Sequence, residues 1–167
     1  STDLGIAGER MLGVDKGISV EVGGVKISGV PAAHELLMPD NGTGLHPAVG
    51  FIIEADGFCI YHSGDTCIYE GMQAILRQWT IDLAFLPING RDAKRLSGNC
   101  IGNMTFQEAV DLAGSIGSTT NVPGHFEMFE HNGEDPNQFA DYMRVKYPHL
   151  AAIIPEHGKR TVVCRSQ

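Results

Sequence analysis

The sequence predicts an α/β protein in which helices pack against a mixed sheet, and three observations predict it. The early part alternates apolar and polar residues around tight turns; a strong helix-start signal stands in the later part; and there helical periodicity takes turns with short apolar runs. Residues 18–22 and 25–30 alternate on either side of Gly23-Gly24 and read as a hairpin. Residues 31–47 follow, too rich in Pro, Gly, Asn and His to be anything but a loop. A second strand pair, 49–54 and 58–61, surrounds the turn Ala55-Asp56-Gly57. A helix is expected over 68–78 and a short buried strand over 83–86, ended by Pro87. Thr105-Phe106-Gln107-Glu108 matches a capping box and starts a helix over 105–116. A strand at 119–122 comes next, then a helix from Asp135-Pro136 to Lys146, with cap and first-turn proline in order. Final strands are expected at 151–154 and 161–163, separated by the turn at Glu156-His157-Gly158.

A chain of 167 residues suits one domain. No apolar run approaches the roughly 20 residues that cross a bilayer, so no membrane role is expected. A net charge of −8 repels a phosphate backbone, which makes long nucleic acid a poor partner. Cys59, Cys67, Cys100 and Cys164 form no C-x-x-C pair, which argues against a zinc knuckle or redox motif and fits a reducing cytoplasm.

Three residues share one context, the end of an expected strand where the chain enters a Gly- or Pro-marked loop. They are His34 after Val30-Pro31-Ala32-Ala33, Asp65 in Ser63-Gly64-Asp65-Thr66, and His125 in Pro123-Gly124-His125. Strand ends of one sheet converge on one edge, and imidazole nitrogen and carboxylate oxygen together suit zinc, manganese or iron. The bland alternative makes each histidine a loop residue bonded to backbone and makes Asp65 the cap of the following helix.

The order S-G-D-T then P-G-H, with a histidine after small residues before both, resembles the last three ligand motifs of the metallo-β-lactamase superfamily. Gly90-Arg91-Asp92, Gly102-Asn103-Met104-Thr105, Glu108-Ala109, Phe126 and Met128-Phe129-Glu130 resemble its branch containing L-ascorbate-6-phosphate lactonase. The resemblance implies an αββα sandwich, of which this sequence would supply the second half, and a site for one or two divalent ions, zinc or manganese. It implies that His34, Asp65 and His125 bind metal, with Asp65 bridging. Asp65 and His125 are the residues on which catalysis would rest, and a metal-bound hydroxide would open a lactone or ester. The substrate would be small and polar, with or without a phosphate. A phosphodiesterase on the same fold, or a non-catalytic half-domain that needs a partner chain, are the alternatives.

One motif is missing. The superfamily's first ligand motif, H-x-H-x-D-H, has no counterpart here. The expectation is therefore that residues 1–167 are the C-terminal half of one such domain, that they pair with the missing half or with another chain, and that alone they are catalytically weak.

Asn89, Arg91, Asp92, Arg95 and Asn103 are candidate substrate-binding residues, because loops after strands face the same edge and an arginine fork suits phosphate or carboxylate. A solvated charged loop, with Asn103 serving the turn at Gly102, is the plainer alternative. His46, Glu156 and His157 are weaker candidates. Cys59 and Cys164 are expected as buried strand residues, Trp79 as core, and Phe126, Met128 and Phe129 as core or pocket wall.

Overall fold

The computed structural model describes residues 5–34 and 37–165. The strands are β1 (Ser19–Val22), β2 (Val25–Pro31), β3 (Val49–Ala55), β4 (Phe58–His62), β5 (Leu83–Pro87), β6 (Thr120–Gly124) and β7 (Ala151–Ala152). They lie in the sheet in chain order. The first four are antiparallel neighbours, whereas β4, β5, β6 and β7 run parallel. The α/β class and the mixed sheet are as predicted. This topology has one consequence for function. Because β2 and β4 both oppose β3, the C-terminal ends of β2, β4, β5 and β6 all point to the same edge.

The helices are α1 (Met72–Leu76), α2 (Ala93–Ser97), α3 (Phe106–Ile116) and α4 (Pro136–Lys146). Alternation along the strands sends Val30, Ile52, Tyr61, Ala84 and Leu86 to one face, where they form a core with Met72 and Leu76 of α1, Val110 and Leu112 of α3, and Phe139 and Met143 of α4. Three of the four helices thus cover one face. The opposite face carries a row set by register, Ile27 beside Ile53 beside Ile60 beside Leu83, with Phe51 and Phe85 next to it. Of these only Leu83 is buried, and the others are half-buried.

The capping box holds: the Thr105 hydroxyl accepts from the Glu108 amide, and the Glu108 carboxylate accepts from the Thr105 amide. Asp135 caps α4 by accepting from the Asn137 amide.

Several boundaries differ from expectation. The helix expected over 68–78 is only α1. The Cys67 amide is spent on the Ala33 carbonyl, and Gly71 takes φ +83°, so the helix starts after it. Asp65 therefore caps no helix, which removes the bland reading of that residue. The strand expected over 151–154 is two residues long, and residues 161–163 form no strand. With so short a neighbour the ladder ends at β7, and the last segment is tied down by Arg165 Nε donating to Asp82 at 3.0 Å. Cys164 is consequently exposed, whereas Cys59 is buried as expected. Trp79 packs against the core. Among the described residues no helix is long and apolar enough to cross a membrane.

Candidate functional site

The shared strand edge brings His34, Asp65 and His125 together. His125 directly follows β6, Asp65 follows β4 by three residues and His34 follows β2 by three. His125 Nε2 lies 3.5 Å from Asp65 Oδ2, and His34 Nε2 lies 4.0 Å from the same oxygen. These are not hydrogen-bond distances. Two ligand atoms that share a tetrahedral ion at bonds of about 2.1 Å sit roughly 3.4 Å apart, so the His125–Asp65 spacing suits a common cation and the His34 arm stands slightly wide. The donor set of two imidazoles and a carboxylate is one that divalent zinc or manganese accepts. Among the described residues, however, no three His, Cys, Asp or Glu side chains close into a complete metal-binding group.

Local structure explains why these motifs read as they do. In S-G-D-T, Gly64 takes φ +63°, and a Cβ there would stand 2.9 Å from the Val49 carbonyl, so the chain can turn Asp65 outward only through glycine. Thr66 is fully buried and ties three loops. Its Oγ1 accepts from the Ala33 amide at 2.9 Å and donates to the Cys67 carbonyl at 2.8 Å, while its own carbonyl accepts from the Met104 amide at 3.0 Å. The loop of His34, the loop of Asp65 and the loop of Asn103 are thereby locked to one another. Thr66→Val keeps the shape and removes both hydroxyl bonds, leaving the Ala33 amide without a partner. The expected cost is about 1–3 kcal/mol in urea unfolding, and the loss belongs to the site as much as to the fold. Thr66→Ser, which keeps the hydroxyl, should recover most of it.

In P-G-H, His125 is a non-glycine residue at φ +55°. Such strain is held only where the surroundings impose it, and it clusters at functional sites. The imidazole is largely buried, and its Nδ1 has no hydrogen-bond partner among the described residues.

A cavity of about 400 Å³ opens beside this trio. Besides the three candidate ligands, its wall includes Gly102, Asn103, Phe129 and Asn132. Of the expected substrate-binding residues only Asn103 lines it. Arg91 is held by a bidentate pair with Glu108, at 2.5 and 2.6 Å, and also donates to the Asn103 carbonyl at 3.1 Å. Burial works to raise the Glu108 carboxyl, but Arg91 and the Thr105 amide outweigh it and hold the group below its ordinary value. Arg95 pairs with Asp92 and donates to Asn132 Oδ1 at 3.1 Å and to the Gly133 carbonyl at 2.8 Å. Asp92 caps α2, the helix that escaped the sequence reading. The arginines are thus not free anion holders: both are engaged by acceptors, Arg91 on an exposed loop and Arg95 largely buried against Asn132 and Gly133. Asn89 and Asn103 are buried, and the Asn103 side chain donates to Asn89 Oδ1 at 3.0 Å.

His46 lies elsewhere. Its Nδ1 and amide reach the Asp15 carboxylate at 2.7 and 2.8 Å, pinning the loop at His46 to the segment at Asp15. Burial pushes the Asp15 carboxyl up, but the amides of His46 and Lys16 and the His46 ring more than offset this and set it low. Glu156 and His157 are exposed at their turn, away from the cavity wall. Phe126 packs on the core, and Met128 and Phe129 are exposed, Phe129 at the cavity. Asn132 was missed, because His131-Asn132-Gly133 has the look of an ordinary turn and nothing local tells that Arg95 will reach it.

Comparison with known proteins establishes the family. Residues 2–126 match the family described as "Beta-lactamase superfamily domain". The chain belongs to the metallo-β-lactamase superfamily. Within that superfamily it is 34% identical over 129 residues to a UPF0173 metal-dependent hydrolase of Methanoregula boonei, a match covering 76% of this chain and 54% of the relative. It is 35% identical to a protein of the same name from Methanoculleus marisnigri, covering 68% of this chain and 47% of that one. The chain spans about half the length of the curated relatives it matches. The solved structure of Igni18, a metallo hydrolase from Ignicoccus hospitalis, superposes with TM-score 0.69 at 25% identity, over 89% of this chain and 58% of that one. His34, Asp65 and His125 all lie within the matched residues.

Proposed function

We propose that this chain carries part of the active site of a metal-dependent hydrolase that opens a lactone or cleaves an ester of a small polar substrate, as the lactonase-like branch would. One observation carries the choice of a carbonyl substrate over a phosphodiester. Beyond the candidate ligands, the cavity wall holds amides, glycine and apolar groups, while both nearby arginines are engaged by other acceptors. A phosphodiester would bring a charge that the ion alone would have to meet, since neither nearby arginine is free to share it; a neutral ring ester brings none.

His34, Asp65 and His125 would hold the ion, zinc or manganese by their chemistry. When bound, a divalent ion polarises a carbonyl and makes water acidic enough to attack near neutral pH. The chain's own residues set the place. Thr66 locks the three loops, His125 is presented by a strained backbone, and the amide wall orients what enters. Three ligands suffice for one ion, and a second ion would need ligands from beyond these three. The half-buried row of Ile27, Ile53 and Ile60 supports a pairing in which the other sheet of the sandwich covers this face, supplied by the length that the relatives have and this chain does not span. The isolated chain is accordingly a weak catalyst.

The test is elemental analysis of the purified chain together with turnover of γ-butyrolactones and of a chromogenic phosphodiester. Substoichiometric to single metal content, with slow lactone opening and no phosphodiester turnover, is the expected result. Phosphodiester turnover that outpaces lactone opening would overturn the carbonyl reading.

A further inference from the structure

The turn that presents Asp65 is held by hydrogen bonds that can be followed one at a time. Tyr61, next to last in β4, enters the core, so alternation puts His62 on the opposite, open face of the sheet. Its register partners there are Phe51 on β3 and Phe85 on β5. The imidazole stacks on Phe85, with ring centroids 5.7 Å apart and planes 25° from parallel. Beyond His62 the chain leaves the strand. The Ser63 amide donates to the Phe85 carbonyl at 3.1 Å, and the Ser63 hydroxyl donates to the Gly64 carbonyl at 2.7 Å. The Gly64 amide donates to His62 Nδ1 at 3.1 Å, its one partner among the described residues. A backbone N–H can only donate, so Nδ1 must be the bare nitrogen and the ring proton of neutral His62 sits on Nε2. The imidazole thus closes the bend that Gly64 makes at φ +63°.

We infer that His62 is a positioning residue for Asp65: by accepting from the Gly64 amide it fixes one side of the turn, as Thr66 fixes the other. Without that acceptor the Gly64 peptide is free to rotate. The Asp65 carboxylate then loses its place beside His125 and His34, whose Nε2 atoms stand 3.5 and 4.0 Å from it. This rests on the hydrolase reading in one respect, that Asp65 holds the ion. The role requires an acceptor on the atom next to Cγ. Asparagine Oδ1 supplies one, whereas phenylalanine supplies none and instead keeps the stack on Phe85. The two substitutions therefore separate positioning from packing, and His62 is exposed, so neither opens a hole in the core.

The experiment measures amide hydrogen exchange at Gly64, by NMR on the metal-free chain, for wild type, His62→Phe and His62→Asn. The affinity of each for zinc is titrated alongside. In His62→Phe the Gly64 amide should exchange roughly fivefold faster or more, the size of one net hydrogen bond, and zinc affinity should fall about tenfold. His62→Asn should stay close to wild type in both. Should the phenylalanine variant fail to fold, His62→Ala takes its place, since asparagine must outperform alanine too. Packing alone would give the reverse order, with phenylalanine close to wild type and asparagine impaired, and that order overturns the inference. Equal Gly64 exchange in all chains overturns it whatever the zinc affinities. A faster Gly64 amide with zinc affinity unchanged also overturns it, because Asp65 then keeps its place unaided. If wild type binds no zinc, the exchange order still decides the role of His62, and it is the hydrolase reading that fails.

Discussion

Gly102→Ala is expected to cost the protein about 2–5 kcal/mol, a large part of the roughly 5–15 kcal/mol that holds a typical domain folded. A Cβ at this position would lie 2.1 Å from the Gly90 carbonyl oxygen, and the backbone there is at φ +77°. The left-handed conformation alone penalises alanine by about 1–2 kcal/mol. The clash adds the cost of moving backbone, typically about 1–3 kcal/mol, because the Gly90 carbonyl is itself bonded to the Asn103 amide at 3.1 Å and cannot swing aside freely. Gly117→Ala is the control. It shares a positive φ of 69° at the end of α3 but has nothing within 4 Å of the added methyl. It should lose only the conformational part. Urea unfolding of the two variants separates the effects, and equal losses would show that the close approach of Gly90 and Gly102 is not what holds this wall. Since Gly102 precedes Asn103, ligand binding should fail in Gly102→Ala even where the fold survives.

His125→Ala is expected to lower metal affinity by more than about 100-fold, beyond what loss of an outer partner of a metal ligand usually costs. Hydrolysis should fall with it. The reason is geometric: Asp65 has both imidazoles near one oxygen, and His125 is the nearer at 3.5 Å, held by its backbone, whereas His34 stands at 4.0 Å. Losing the better-placed nitrogen leaves two ligands, too few to hold an ion tightly. His34→Ala should do less. Relief of the positive φ at His125 would be expected only on replacement by glycine, so His125→Gly should match His125→Ala in metal binding yet be at least as stable in unfolding. Metal titration followed by dialysis and elemental analysis gives the affinities. Unchanged metal content in His125→Ala would remove this residue from the site.

The strand edge was legible because S-G-D-T and P-G-H are local: a glycine permits the turn and the next residue is presented, whatever lies far away. The capping box at Thr105 and the hairpin turns were legible for the same reason. The overlong helix before Gln78 and the strand at 161–163 were misread because periodicity does not know that Cys67 is pinned to Ala33, or that β7 offers only two residues to pair with.

The amino-acid sequence by itself thus determined the α/β class, the order of most elements and the three candidate ligands, since each depends on turns, caps and alternation within a few residues. Tertiary structure alone decided the wall. Arg91 and Arg95 read as anion holders until Glu108, Asp92 and Asn132 are seen to engage them, and nothing near Asn103 in sequence tells that it is buried against Asn89. Hydrogen bonds between residues 14 to 43 positions apart leave no local pattern, because their partners are brought together by the sheet and not by the chain between them.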